Sequence, residues 1–453
     1  MSSITKELIK KYDVQGPYYT SYPVLAKWSH DFSSNDYKNA LKEMFSKKDN
    51  PPLSVYIHFP FCPKHCYYCC CNTKITKDRE QIRHFLSFLL KEINLFADFF
   101  NKNSITPNIK EVHIGGGSPS YMTKNEINQL ITGLQSFVNL KVLSEFIIEI
   151  DVRTVDQGKL YYYHEKGINR ISLGIQDFDP AVQKAVNREQ PVEVVEGLLS
   201  PDLRKCFKSI NFDLIYGLPL QTTETFKNTI DTVIRLLPDR ICLYNYGHMP
   251  DVYKHQKLIK ASDLPDIYEK TKINLEAIQK LLDCGYERIG IDHFARPSDD
   301  LAEAMHNKTI TRIFNGYACG RTRDLIGLGP TSSSAFSHYY TQNVYSHAEY
   351  YKSIDAYEFP ILRGFRLNRD DIIRRDVINN IITNFFLDIG NIEKKYNIIF
   401  NNYFQKEIVS LDSLVQDGIL KISNNEIIVT PLGKNFVRHV CMVFDYYLQE
   451  NKV

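Results

Sequence analysis

Tyr56-Ile57-His58-Phe59-Pro60-Phe61-Cys62-Pro63-Lys64-His65-Cys66-Tyr67-Tyr68-Cys69-Cys70-Cys71-Asn72 is the run around which the rest of this chain is arranged. Cys62, Cys66 and Cys69 stand in Cys-x3-Cys-x2-Cys spacing. Three soft thiolates this close on one loop can hold three irons of a cubane [4Fe–4S] cluster. The fourth iron then has no cysteine from the motif and is open to chelate a small molecule. Zinc is the competing occupant, but a zinc Cys-x2-Cys usually draws on a second, distant Cys/His pair, and none stands at comparable spacing. Incidental reduced thiols are the remaining reading.

The surrounding chain is that of an ordinary soluble protein. Its 453 residues suffice for two or three domains, with 43% hydrophobic and 24% charged residues. Lys+Arg 55 against Asp+Glu 53 gives a net charge of +2, so no nucleic-acid partner is implied. No apolar stretch approaches the roughly 18 residues of a membrane span, and Met1–Glu7 lacks the layout of a signal peptide. Half of the ten cysteines crowd between Cys62 and Cys71, and the others are scattered as reduced thiols would be. A cytoplasmic, oxygen-poor setting is expected.

Working outward, short β-branched or aromatic runs alternate with longer amphipathic ones. The expected strands are Val55–Phe59, Glu111–Ile114, Glu145–Ile150, Arg170–Ile175, Ile210–Tyr216 and Ile241–Tyr246. The expected helices include Gln81–Phe100, Lys124–Phe137, Val155–Glu165 and Thr223–Leu236. Six such repeats predict a parallel α/β sheet with right-handed crossovers, whose ligands gather beyond the carboxyl ends of the strands. The chemically suggestive residues fall there. The cysteine loop follows the first strand and Gly115-Gly116-Gly117-Ser118 the second, where the glycines offer either free amides to a ligand or a plain turn. Glu149 and Asp151 close the third strand and Gln176 the fourth, Asp213 lies on the fifth, and Asn245 and His248 follow the sixth.

The flanks are less regular. Gly16-Pro17-Tyr18-Tyr19-Thr20-Ser21-Tyr22-Pro23 disfavours helix and is rich in tyrosine, so it either folds over a pocket or packs on the surface. Tyr286–Phe294 reads as one more strand. Gly320–Ser334 reads as a Gly/Ser-rich loop with two arginines, suited to an anionic ligand or simply solvated. Beyond Gly364 the pattern is helical over Arg374–Ile382 and Phe404–Leu414, then a hairpin (Gly418–Ile422, Glu426–Val429), then one helix over Pro431–Gln449. This suggests a winged-helix-like module, without the basic excess of a DNA-binding one. The expected division is 1–50 as an amino-terminal arm, 51–300 as the main α/β domain, 301–363 as its extension, and 364–453 as a helical domain.

The cysteine motif resembles that of the radical S-adenosylmethionine (SAM) enzymes. Gly16–Pro23, Tyr56–Asn72, Gly115–Tyr121, Asn187–Gln190, Asp213–Pro219, Asp292–Pro297 and Arg374–Ile378 together resemble the oxygen-independent coproporphyrinogen III oxidase family. This resemblance implies a partial (β/α)6 TIM-like barrel, with the amino-terminal arm and a mainly helical carboxyl-terminal domain. It implies Cys62, Cys66 and Cys69 as ligands of one [4Fe–4S] cluster, with Cys71 a fourth cysteine that is not a ligand. It places Tyr56, Tyr68, Gly116, Gly117, Ser118, Glu149, Gln176, Arg188 and Asp213 at SAM-contacting positions. Gly247 and Ser333 occupy two more such positions with altered side chains, in a family that holds two SAM molecules. The implied reaction is decarboxylation of coproporphyrinogen III propionates to vinyl groups in heme biosynthesis. The implied setting is a cytoplasmic monomer served by an electron donor such as flavodoxin or ferredoxin.

Departures from the family pattern keep other substrates in view. Tyr18 stands where the family typically carries an arginine, Cys70 replaces a glycine, and Asn315 and Ser333 replace a glutamine and an isoleucine. Arg321 and Arg323 enter the adjoining loop, so Tyr18, Asn315, Arg321 and Arg323 are the candidate substrate residues. The alternatives are a relative that methylates or opens a porphyrin ring such as heme, and a heme-binding carrier without turnover. Carrier-type relatives generally lack the Thr20–Pro23 segment and Cys71, both present here.

Overall fold

The computed structural model describes residues 4–46, 50–314, 316–319, 322, 324–336, 338–423 and 425–450. The chain forms two compact units, each assembled from separated stretches: Ser29–Tyr286 with Thr322–Gly364, and Met1–Trp28 with Glu287–Arg321 and Phe365–Val453.

The larger unit is built on β1 (Leu53–Phe59), β2 (Ile109–Gly116), β3 (Glu145–Ile150), β4 (Arg170–Gln176), β5 (Ser209–Tyr216), β6 (Arg240–Asn245), β7 (Asp324–Leu328), β8 (Ser333–Phe336), β9 (Tyr339–Asn343) and β10 (Ile361–Arg366). Their order in the sheet is β10-β9-β8-β7-β1-β2-β3-β4-β5-β6. Strands β1 to β6 pair in parallel, as the alternating pattern predicts. The sheet is nevertheless mixed, because β7 joins β1 in parallel while β8 and β9 add antiparallel. The stretch expected as a Gly/Ser-rich loop thus holds two strands. Its apolar positions Leu325, Ile326 and Leu328 are buried, a signal that the intervening glycines conceal.

Helices α1 (Arg79–Lys102), α2 (Lys124–Leu134) and α3 (Gln157–Glu165) follow β1, β2 and β3, and α4 (Thr223–Leu236) and α5 (Ile267–Asp283) follow β5 and β6. Asp78 caps α1 by accepting from Glu80 N (2.9 Å), and Ile82, Phe85, Leu89, Ile93 and Phe96 recur at helical spacing on its buried face. Thr123 and Glu126 close α2 with a reciprocal capping box.

Alternation along the strands separates two faces. Val55, Ile57, Ile114, Ile148, Leu173 and Phe212 are buried apolar residues of one parity. The other parity carries Tyr56, His113, Glu149, Ser172, Asn211 and Asp213, brought side by side by the register. Towards the amino ends this polar face is tied by ions: Arg170 Nε lies 3.2 Å and Arg240 Nη2 3.7 Å from Glu145 Oε1.

In the smaller unit, Glu287–Ile289 and His293–Ala295 pair antiparallel about Gly290, two short strands where one is expected. Helix α6 (Arg369–Asn384) buries Ile373, Val377, Ile378, Ile381 and Ile382 against a three-stranded sheet ordered Phe386–Asp388, Glu426–Val429, Leu420–Ile422. The expected hairpin is present and gains a third strand. The single helix expected over Pro431–Gln449 is divided into α7 (Val437–Val443) and Tyr446–Glu450 after a turn at Gly433–Asn435. Asp445 breaks it by accepting from Leu448 N (3.1 Å) as a new cap. Among the described residues, no helix is long and apolar enough to cross a membrane.

Candidate active site

The cysteine loop leaves β1 and is held by the turn after β2. Gly117 N donates to Phe59 O (2.7 Å), Ser118 N to Phe61 O (2.9 Å), and Gly116 N to Glu149 Oε2 (3.1 Å). The glycine triplet therefore does not offer free amides to a ligand, as its composition suggests; these N–H groups are engaged within the protein. What the turn requires is close approach. Gly116 has φ +116°, and a Cβ there would stand 2.7 Å from Phe59 O; at Gly117 it would stand 2.9 Å from Phe61 O and 3.1 Å from Cys62 Sγ. With its amides occupied, the turn has carbonyl oxygens left to give, acceptors suited to an ammonium group.

The three thiols of the motif lie close enough to act on one another electrostatically. Burial pushes the Cys62 thiol up to about 12, against the opposing hydrogen bond that Ser118 Oγ donates to its sulfur (3.3 Å). Cys69 is lowered to about 7, chiefly by a hydrogen bond from Cys71. Arg188 Nη1 and Arg153 Nη2 stand 3.5 and 3.6 Å from Cys66 Sγ. Asp151 ties these arginines together, at 2.7 Å from Arg153 Nη2 and 3.5 Å from Arg188 Nη1. Burial opposes its ionisation, but the two guanidiniums hold it at about 2.

Among the described residues, no group of three or more His, Cys, Asp or Glu side chains is gathered tightly enough for a single metal ion. A tetrahedral zinc site needs such a group, with Zn–S near ~2.3 Å. A cubane takes each thiolate on a different iron, and three separated thiols with donors and cations at their sulfurs fit it.

The remaining predicted positions extend from this loop along the polar face. Tyr56 OH donates to His58 Nδ1 (3.3 Å), and His58 Nε2 donates to Asn72 O (2.9 Å), which fixes the imidazole tautomer. Glu149 Oε1 accepts from His113 Nε2 (2.9 Å). Asp213 accepts from Ser172 Oγ (2.7 Å) and Asn211 Nδ2 (2.9 Å), and burial raises its pKa. Gln176 ends β4 in the left-handed region (φ +66°), and its Nε2 and Arg188 Nη2 both converge on Gly174, where a Cβ would meet them at 3.0 and 2.9 Å. Tyr68 is pushed up by burial, with the charge of Arg188 opposing. The Gly247 carbonyl accepts from Gln256 Nε2 (3.3 Å), which also donates to Tyr68 O (3.2 Å). Ser333 lies on β8, its carbonyl against Gly327, which is in register with Tyr56.

Of the substrate candidates, Tyr18 belongs to the smaller unit, with its ring under the Arg438 guanidinium (4.8 Å from the centroid). Asn315, Arg321 and Arg323 lie outside the described residues. Sequence reasoning passed over Arg153, His255 and Gln256. His255 Nε2 donates to Cys69 O (2.7 Å) from the turn Lys254–Leu258, a contact with no sequence signature. Arg153 was findable, two residues beyond Asp151 at a strand end.

The radical SAM superfamily model matches residues 56–233. The oxygen-independent coproporphyrinogen III oxidase of Pseudomonas aeruginosa is 38% identical over 444 residues, covering 98% of this chain and 95% of its own. That of Escherichia coli (strain K12) is 39% identical over 443 residues with the same coverage, and that of Helicobacter pylori (strain 26695) 35% identical over 450, covering 99% and 98%. The solved structure of the Escherichia coli coproporphyrinogen III oxidase, described as a radical SAM enzyme, superimposes with a TM-score of 0.90 at 39% identity, covering 95% of this chain and 98% of that one. The loop geometry and the whole-chain likeness agree: the chain belongs to the oxygen-independent coproporphyrinogen III oxidase family of radical SAM enzymes.

Proposed function

We propose that this chain catalyses the oxygen-independent decarboxylation of coproporphyrinogen III, turning propionate side chains into vinyl groups and giving protoporphyrinogen IX in heme biosynthesis. The observation that carries the reading is a cation-flanked three-thiol loop in a chain alike over 98% of its length to relatives named for that activity.

When bound, one [4Fe–4S] cluster and SAM, two molecules in this reading, supply reductive cleavage of a sulfonium C–S bond, and with it the means to take hydrogen from an unactivated carbon. Cys62, Cys66 and Cys69 hold the cluster. Arg188 and Arg153 balance thiolate charge at Cys66, and Ser118 does so by hydrogen bond at Cys62. The carbonyls of Gly116 and Gly117 receive an ammonium group, and Asp213 accepts from a hydroxyl group. Tyr56, Tyr68, Glu149, Gln176, Gly247 and Ser333 line the remaining SAM surface. For each propionate, removal of one hydrogen atom from the β-carbon, and of one further electron that passes to a one-electron acceptor, with loss of CO2, leaves the vinyl double bond. The reading includes a donor of the flavodoxin or ferredoxin class, a cytoplasmic setting and a monomer.

Anaerobic incubation of the reconstituted protein with SAM, reduced flavodoxin and coproporphyrinogen III tests it by mass spectrometry. The expected product has lost CO2 and two hydrogens per converted side chain. A parallel incubation with heme covers the alternatives: altered heme, or heme bound without SAM cleavage, beside untouched coproporphyrinogen would overturn the reading.

A further inference from the structure

Arg153 reaches the cysteine loop at its middle cysteine. It stands two residues after Asp151, in the short turn Val152–Thr154 that leaves β3, within the larger unit. Every nitrogen of its guanidinium is engaged. Nε donates to Asp151 Oδ1 (2.9 Å) and Nη2 to Asp151 Oδ2 (2.7 Å), a two-pronged pair that fixes the plane of the group. Nη1 donates to Asn187 O (3.5 Å), and Asn187 Nδ2 donates to the carbonyl of His65, the residue before Cys66 (2.8 Å). Nη2 carries a second N–H, and Cys66 Sγ lies 3.6 Å from that nitrogen. Asp151 is itself held in place: its backbone N donates to Ser120 Oγ (2.9 Å), which lies 2.7 Å from Thr154 Oγ1.

The carboxylate does not cancel what the arginine brings to the sulfur. Asp151 serves two guanidiniums, since Arg188 Nη1 also lies 3.5 Å from its Oδ2, so the three groups together carry a net positive charge. Arg188 stands 3.5 Å from Cys66 Sγ and acts on Cys69 as well. The opposing charges at the loop are those of Asp151, felt by Cys62, and of Glu149, felt by Cys71. Glu149 is occupied by Gly116 N and His113 Nε2. The three motif sulfurs are therefore served unequally. Cys62 has a neutral donor in the Ser118 hydroxyl and Cys69 one in the Cys71 thiol, while Cys66 has two cations. One-electron reduction of a cubane, with the donor protein oxidised by the same electron, adds negative charge that the ligand sulfurs share. A cationic N–H aimed at one of those sulfurs stabilises the reduced form more than the oxidised one.

We infer that Arg153, aimed by its fork to Asp151, raises the reduction potential of the cluster held by Cys62, Cys66 and Cys69. The inference rests on the cluster reading above and is independent of which tetrapyrrole is the substrate. In that reading Arg188, at the same sulfur, also stands at a SAM-contacting position, whereas Arg153 serves the cluster alone.

The test is an anaerobic redox titration of the reconstituted protein without SAM, read by electron paramagnetic resonance of the reduced cluster. Iron analysis and thermal melts are run on the same samples. Arg153→Gln and Arg153→Met should keep their iron and move the midpoint to more negative potential. At a fixed potential the ratio of reduced to oxidised cluster should fall about tenfold, which is about 59 mV for a one-electron couple. Arg153→Lys should recover part of the shift, because it restores charge without the fork. A wild-type midpoint in iron-loaded Arg153→Gln or Arg153→Met overturns the inference. Loss of iron from both overturns it too, since the arginine would then brace the loop and not tune the cluster. A wild-type protein that assembles no iron–sulfur cluster would instead remove the cluster reading itself.

Discussion

Replacing Glu92 with glutamine should flatten the pH dependence of stability. Glu92 lies mid-way along α1, fully buried, and accepts from Gly329 N (2.7 Å), Tyr350 Oη (2.7 Å) and Asn343 Nδ2 (3.2 Å). Asn343 Nδ2 in turn reaches Gly329 O (3.0 Å) and Ser332 Oγ (3.1 Å), so the carboxylate anchors the turn between β7 and β8 that leads to Ser333. Burial pushes the Glu92 pKa up from 4.5 to about 7, with the three donors offsetting part of that rise. A carboxyl with a raised folded pKa stabilises most fully below its unfolded value. Its contribution falls as pH climbs from 4.5 through about 7 and is constant above. The whole interval is worth about 3 kcal/mol, of which about 2 kcal/mol falls between about pH 5.5 and about pH 8. Urea unfolding of wild type and Glu92→Gln across that range isolates this part, because every other titrating group is common to both. The variant should be less stable at the acid end, where it mispairs with one of three donors, and should lose about 2 kcal/mol less than wild type on going to the alkaline end. Parallel curves for the two proteins would refute the argument.

Three further outcomes are expected. Cys66→Ser should abolish iron binding and SAM cleavage, while Cys70→Gly should leave iron content unchanged; full iron loading in Cys66→Ser, measured by iron analysis and absorbance, would exclude the ligand assignment. Asp213→Ala should lower SAM affinity by about 1–3 kcal/mol by equilibrium dialysis, and unchanged affinity and stoichiometry would remove Asp213 from the SAM site. Tyr19→Phe strips a hydrogen bond from the buried Asp445 carboxylate and should cost about 1–3 kcal/mol of stability, and an unshifted melt would show that bond to be without net value.

Much of the fold was legible before any coordinates, and the reason is local. Alternating polar and apolar residues in Ile210–Leu214, and the clean helical spacing of α1 and α4, each report a periodicity carried by consecutive residues. Such patterns predict β3 and α4 at their observed limits and place Glu149, Gln176 and Asp213 at or near strand carboxyl ends. The cysteine motif is likewise local, its chemistry fixed by residue type and spacing. What failed was equally specific. Asp324–Leu328 was hidden because glycine and a run of turn formers outweigh three buried apolar side chains in any window reading. The helix expected over Pro431–Gln449 stops at Asp445 because that side chain serves as a cap and as the acceptor of Tyr19, a residue 426 positions away.

Only tertiary structure could decide the use of groups whose partners are distant in sequence. The glycine triplet gives its amides to the cysteine loop and Glu149, not to a ligand, because close approach depends on how β1, β2 and β3 sit in register. Glu92 falls on the apolar face of α1, between Leu89 and Phe96, and what satisfies it there, Gly329, Asn343 and Tyr350, lies 237 to 258 positions away in the chain. Arg438 and Tyr18 are 420 residues apart and become one feature only when the two chain ends are laid together. Sequence determines which side chains a helix or strand can present; folding determines what each of them meets, and a buried polar group acquires its chemistry from that meeting.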